Sequence, residues 1–275
     1  MIYDIGNQLQ GRNEPIFCIQ SHAHFDTLDA GESVPGLPGW PLEEVTNDNT
    51  YGGYSPELPD TGIIAFDFGG PGPCDTVCIG AHTLGTHGCT VRLYFGDGSP
   101  VVWDDEPGDE VFEITPADDS PIIVVFPPVT RRWARLDIGY ATLPVVGVVR
   151  IGQRLQMPNT IYGGHTPVTL ARVTAIRPQV SETGQFIGQA AVRHGLRSSF
   201  SLEHLPADWY RTHFDPFVAA ARYRSFFAAW RPTAFPNEVV YARVPGEDIA
   251  PTNMGVADLM AVTVPIEAHD WEAVT

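Results

Sequence analysis

The sequence predicts a mainly β protein in two parts: a β-sandwich over residues 1–154, then a β-rich unit over 155–275 with one prominent α-helix. Three observations predict it. Short runs rich in Val, Ile and Phe recur between residues 63 and 157, separated by Gly, Pro, Asp and Asn turn signals. Helical periodicity is nearly absent before residue 200 and then clear over one stretch, 206–230. The charge also steps along the chain. Residues 1–150 hold 22 acids against 6 arginines and residues 151–275 hold 11 against 10, together the 33 acids and 16 basic residues of the whole. A step of that kind marks a domain boundary, and 275 residues is more than one domain usually takes.

The elements follow in order. Residues 27–62 are dense in Gly, Pro, Asn and Asp, which favours turns and long loops; Trp40, Tyr51 and Tyr54 sit within them. Strands are then expected at 63–69 (IIAFDFG), 76–82 (TVCIGAH), 90–98 (TVRLYFGDG), 111–115 (VFEIT), 122–129 (IIVVFPPV), 131–139 (RRWARLDIG) and 145–157 (VVGVVRIGQRLQM). In the second part, 167–177, 186–193 and 196–203 read as strands. Residues 206–230 read as helix, with Asp208 capping a first turn and Asp215–Pro216 in the Ncap–N1 arrangement. Tyr210, Phe214, Phe217, Val218 and Ala221 fall on one face of that helix, which should pack on a sheet. Strands at 238–244 and 259–268 close the chain.

The stretch CDTVCIGAHTLGTHGC (74–89) gathers three cysteines and two histidines, but its spacing matches no paired-knuckle zinc pattern. Strand alternation accounts for it: Val77, Ile79 and Ala81 face one side, Thr76, Cys78, Gly80 and His82 the other. Four cysteines (Cys18, Cys74, Cys78, Cys89) are too few for a disulfide scaffold and read as a protein made in a reducing cytoplasm. His22, His24 and Asp26 (HAHFD) have the ligand types of a metal-dependent hydrolase, but that chemistry needs an alternating (β/α)8 barrel, so an exposed turn is expected. Asp104, Asp105, Glu106, Asp109 and Glu110 offer the oxygen ligands calcium takes, without the spacing of a calcium loop. No metal or other cofactor is therefore expected. With no G-x-S-x-G, no phosphate-cradling Gly loop and no H-E-x-x-H, an enzyme is not expected either.

Charge and hydropathy exclude further classes. All 16 basic residues are arginine and the net charge is −17, which argues against sequence-specific nucleic-acid binding. No apolar run approaches the roughly 20 residues that span a bilayer. The start, MIYDIGNQLQ, shows no secretory signal.

The segments FDFGGPGPCDTVCIGAHTLGTHGCTVRLYFGDG, RRWARLDIG and VVGVVRIGQRLQM resemble the discoidin-type, galactose-binding-like jelly roll. The stretch from MPNTIYGG to FFAAWRP, with NMGVADLMAVTVPIEA at the end, is similar to structural proteins of tailed bacteriophages. These pair a discoidin-like first domain with a tail-type β-barrel carrying a helix. The resemblance implies a non-enzymatic virion protein at the distal end of the tail, made in the bacterial cytoplasm. It would form a ring coaxial with the tail tube, sixfold by default and threefold as the alternative, touching tail-tube and tail-tip hub proteins. Ser181, Glu182, Thr183, Gly184, Gln185 and Phe186 would then form an inter-subunit hairpin. The acidic sandwich would hang outward, soluble, and contact host glycans or other tail proteins. The alternative is a free-standing carbohydrate-binding module in which Trp40, Tyr51 and Tyr54 stack on sugar rings.

Overall fold

The computed structural model describes residues 1–19, 28–29, 33–97, 109–161, 166–246, 248–255 and 258–271. The strands of the first half are β1 (Ile2–Asp4), β2 (Ile16–Cys18), β3 (Thr61–His82), β4 (Thr90–Gly96), β5 (Asp109–Ile114), β6 (Ile122–Gly139) and β7 (Val146–Gly152). Those of the second are β8 (Leu155–Gln156), β9 (Arg172–Val180), β10 (Phe186–Pro206), β11 (Phe226–Ala229), β12 (Val239–Arg243), β13 (Thr252–Asn253) and β14 (Leu259–Ala268). Between β10 and β11, helix α1 (Ala207–Trp209), a π-helical turn (Tyr210–Phe214) and helix α2 (Asp215–Ala221) run on without a break.

Two long strands make the sandwich. β3 and β6 pair antiparallel from Thr61↔Gly139 to Ile79↔Ile122, with register breaks between Asp67 and Gly72 and between Cys74 and Thr76. The first break coincides with the sequence GGPGP (69–73), and Gly69 has φ +74, a conformation that favours glycine. The early half of β3 and the late half of β6 lie beside β4 and β5; the other halves lie beside β1 and β7. Each pair of expected strands, 63–69 with 76–82 and 122–129 with 131–139, is thus one bent strand serving both sheets. Ile64, Phe66, Val77, Ile79, Leu93, Phe95, Val124, Phe126, Leu136, Ile138 and Val149 meet between the sheets. They are the alternate residues of each run, as the period of a strand requires.

The other parity is buried as well. Ile2, Cys78, Ile123, Val125 and Val148 pack against Ile16, Cys18, Phe227, Ala229, Val239 and Tyr241 of a second sheet. Gly80 permits this approach, because a Cβ there would lie 3.0 Å from Phe227 Cε1 and Cζ. A sheet covered on both faces explains why IIVVF and VGVVRIG read as unbroken apolar runs.

The second sheet has the order β8-β2-β11-β12-β14-β10-β9, with β13 on β14. β2, from the first twenty residues, lies inside it between β8 and β11. The barrel implied for this part does not close among the described residues: β8 and β9 are its two edges. The helix covers one face and the sandwich the other, so the apolar surface is buried without closure. Phe17, Phe200, Phe214, Phe217, Phe226 and Val264 form the helix-side core. The predicted apolar face of the helix, Tyr210, Phe214, Phe217, Val218 and Ala221, is the face it buries.

Two details of that helix differ from expectation. It ends at Ala221, and Phe226–Ala229 is a strand buried on both faces, whose apolar run carries no alternation to separate it from helix. Asp215 is helical (φ −60, ψ −42) and caps nothing. Its N–H reaches back five residues to Tyr210 O, and this wider turn precedes Pro216, which has no N–H to offer. No helix among the described residues is long and apolar enough to cross a membrane.

Candidate binding groove

The apolar layer between sandwich and second sheet ends at β12, and the same face turns polar beyond it. Tyr241 belongs to the apolar layer; Arg243, two residues on, pairs with Glu267 of β14, which pairs with Arg197 of β10. Arg243 Nη2 donates to Glu267 Oε2 at 3.2 Å, and Arg197 Nε stands 3.9 Å from Glu267 Oε1. This cross-strand row floors a groove of about 990 Å³. One wall is the sandwich loop Asp48–Thr50, another the loop Arg222–Ser225 that leaves α2, and His269 and Asp270 complete the lining with the base of β9 and β10.

Local chemistry builds the first wall. Arg150 of β7 is buried and donates to Thr46 O (3.1 Å), Asn47 O (3.0 Å) and Asp48 Oδ1 (2.5 Å). Tyr241 donates its hydroxyl toward Asp48 O at 3.3 Å, and Ser225 N–H lies 3.4 Å from Asp48 Oδ2. Asp48 therefore joins both walls to the sheet between them. Burial pushes the Tyr241 phenol well above its ordinary value, and burial lowers His269. Two Asx turns continue the loop: Asn47 Oδ1 accepts from Asn49 N–H and Asn49 Oδ1 from Tyr51 N–H, both at 2.8 Å. They set Tyr51 outward, 94% exposed, directly after the lining residue Thr50. Tyr223, on the opposite loop, is 84% exposed.

The aromatic residues singled out in the sequence are separated by the fold. Tyr54 is fully buried and donates its hydroxyl to Val34 O at 2.9 Å, so it fills the sandwich end and offers no ring to a ligand. It is a core residue because Tyr54 pairs with Val146 as an isolated bridge, which turns the ring inward. Trp40 is 38% exposed at the turn closed by its N–H to Leu37 O (2.8 Å), away from the groove lining. Tyr51 alone of the three stands beside the groove. Tyr223 was not singled out; its signal was the sequence RYR (222–224), a ring outside the apolar face and between two cations.

The cysteines are packing residues. The second register break on β3 changes the parity, so Cys74 joins Cys89 in the sandwich core while Cys78 faces Cys18 in the layer between the sheets. Burial pushes the Cys74 thiol up to about 12 and Cys89 to about 11. His82, at the end of β3, is pushed down to about 4 by burial, its Nδ1 accepting from Leu84 N–H and its Nε2 lying 3.0 Å from Ser120 O. Among the described residues no three His, Cys, Asp or Glu side chains are grouped to hold a metal. His22, His24, Asp26, Asp104, Asp105 and Glu106 lie outside the described residues, and Asp109 and Glu110 are described only as the backbone that opens β5. Ser181, Glu182, Thr183, Gly184 and Gln185 form the turn of the β9–β10 hairpin, closed by Ser181 N–H to Gln185 O (2.8 Å) with Gly184 at φ +83, and Phe186 opens β10.

No protein-family model matches the chain, and no curated protein does. Solved structures do. A chitosan-binding module from a chitosanase/glucanase of Paenibacillus sp. IK-5 matches at TM-score 0.39 and 11% identity, covering 49% of this chain and 99% of that one. A carbohydrate-binding module of Clostridium perfringens, in complex with GalNAc-β-1,3-galactose, matches at 0.37 and 8% identity over 44% of this chain and 92% of that one. A Ruminococcus gnavus fucosidase in complex with fucose matches at 0.34 and 13% identity, over 42% of this chain and 23% of that one.

Proposed function

We propose that this chain is a non-catalytic binding protein whose groove takes an extended glycan. The observation that carries the reading is the groove itself: a row of charged planar side chains on its floor, with Tyr223 on one wall and Tyr51 following the other. A sugar ring presents an apolar C–H face and a rim of hydroxyls. Exposed aromatic rings suit the face, and Arg, Glu, Asp and Asn side chains suit the hydroxyls. Calorimetric titration with a panel of oligosaccharides tests it. At least one is expected to bind, and Tyr223→Ala to weaken it roughly tenfold, the worth of about 1.4 kcal/mol of stacking. If no glycan binds at millimolar concentration, or if Tyr223→Ala binds as well as the parent, the reading falls.

A second reading, compatible with the first, is favoured by the β9–β10 hairpin. β9 is an edge strand exposed along its whole length, and beyond it Phe186 and Ile187 are 68% and 67% exposed. Uncovered edges bearing apolar side chains invite another strand. We propose that the hairpin of one copy seats on the next, closing a ring of six or three copies of the kind a phage tail tip carries, with the acidic sandwich outward. Light scattering should give a discrete multiple of 30.0 kDa. Phe186→Ser with Ile187→Ser should return a monomer. A parent protein that is monomeric at every concentration sinks the ring.

A further inference from the structure

We infer that the glycan this groove takes is acidic, a sugar chain bearing carboxylate or sulfate groups; the inference rests on the glycan-binding reading. The ground is a reversal of charge. The chain as a whole stands at −17, yet the groove is lined by four arginines, Arg197, Arg222, Arg224 and Arg243, against Asp48, Glu267 and Asp270. Two of those acids are already engaged. Asp48 is held by Arg150 at 2.5 Å, and Glu267 sits between Arg243 (3.2 Å) and Arg197 (3.9 Å). Arg222 and Arg224 are exposed, and no acid among the described residues pairs with either guanidinium.

Their positions point to a ligand. Arg222 follows the last residue of α2, where a cation suits the helix terminus; Arg224 is two residues further, beyond that field. Both flank Tyr223, the exposed ring on the groove wall. A guanidinium fork matches a carboxylate or sulfate with two parallel hydrogen bonds, and it stacks on planar groups. A chain this acidic repels anions at long range, so two cations facing one groove favour an anionic ligand only where it also finds the tyrosine face.

The test is titration with oligosaccharides of equal length: an oligogalacturonate, a sulfated oligosaccharide and a neutral oligosaccharide, together with a linear inorganic polyphosphate as a polyanion without rings to stack. An acidic oligosaccharide should bind roughly tenfold tighter than the neutral one at low salt, and the advantage should shrink as salt is raised. Which acidic oligosaccharide binds distinguishes carboxylate from sulfate. The double variant Arg222→Ala, Arg224→Ala should remove that advantage; both side chains are exposed, and the melting temperature checks that the fold is kept. Neutral and acidic oligosaccharides binding alike would overturn the inference and leave the glycan reading standing. No oligosaccharide binding at all would overturn both. Polyphosphate binding as tightly as the acidic glycan would make the groove a general polyanion site and overturn the inference as well.

Discussion

Phe17→Ala is expected to destabilise the protein by about 4 kcal/mol, although Phe17 lies in a three-residue strand near the start of the chain. Its ring meets those of Phe217 (4.9 Å between centroids), Phe200 (5.5 Å), Phe226 (6.1 Å) and Phe214 (6.2 Å). Those partners come from β10, the π turn, α2 and β11, so one side chain fills the space where helix and sheet converge. Truncation removes the transfer energy of the ring and leaves a cavity that five elements must collapse together to close. The four edge or tilted ring contacts are part of that loss and hold it within the ~3–5 kcal/mol that truncating a buried Phe costs. Phe17→Leu keeps most of the volume and should lose less than about 1.5 kcal/mol. Urea unfolding monitored by circular dichroism measures both, as shifts in midpoint at unchanged slope. A loss below about 1 kcal/mol for Phe17→Ala would mean that β2 is not an integral strand of the second sheet.

That strand also marks what the sequence could and could not convey. Alternation located β4 and the halves of β3 and β6 beside it, because Ile64, Phe66, Leu93, Phe95, Leu136 and Ile138 obey a period of two over runs long enough to count; β1, three residues long, was not read as a strand. The face of the helix was legible from Tyr210 to Ala221 for the same reason. β2 offers only Ile-Phe-Cys, and β11 only Phe-Phe-Ala-Ala, each buried on both faces. Neither has a period to read, and the layer they build depends on partners more than 200 residues apart, Phe17 with Ala228 among them. The groove follows from that layer. Its floor is assembled from Arg197, Arg243 and Glu267, which look like ordinary surface charges until the register places them in one row. Tyr51 was visible as an aromatic residue in a polar loop; the burial of Tyr54, three residues on, depends on a bridge to Val146 that local composition does not announce.

Arg150→Met is expected to weaken stability and ligand binding together, and this separates it from Tyr223→Ala, which should weaken binding alone. Arg150 stands opposite Cys78 on the ladder between β3 and β7, at the rim of the apolar layer, with its side chain 9% exposed. One guanidinium serves Thr46 O, Asn47 O, Val149 O and Asp48 Oδ1. Methionine fills similar volume and donates nothing, so three carbonyls lose a charged donor and Asp48 loses its counter-ion. Breaking a buried pair costs ~3–5 kcal/mol; the Asp48 side chain is 35% exposed and can recover water, which places the expected loss near the lower end, about 3 kcal/mol. Arg150→Lys delivers a single ammonium where a fork is needed and should recover about half. Released from Arg150, the wall from Asp48 to Thr50 keeps the long contacts with Tyr241 and Ser225, at 3.3–3.4 Å, and the local Asx turn of Asn47. Glycan affinity should then fall severalfold through the loss of preorganisation, with no ligand contact removed. A double-mutant cycle with Asp48→Asn should show a coupling of about 1 kcal/mol or more. If Arg150→Met unfolds at the parent's midpoint, the guanidinium is a solvated rim charge, and the groove wall must owe its shape to the Asx turns of Asn47 and Asn49.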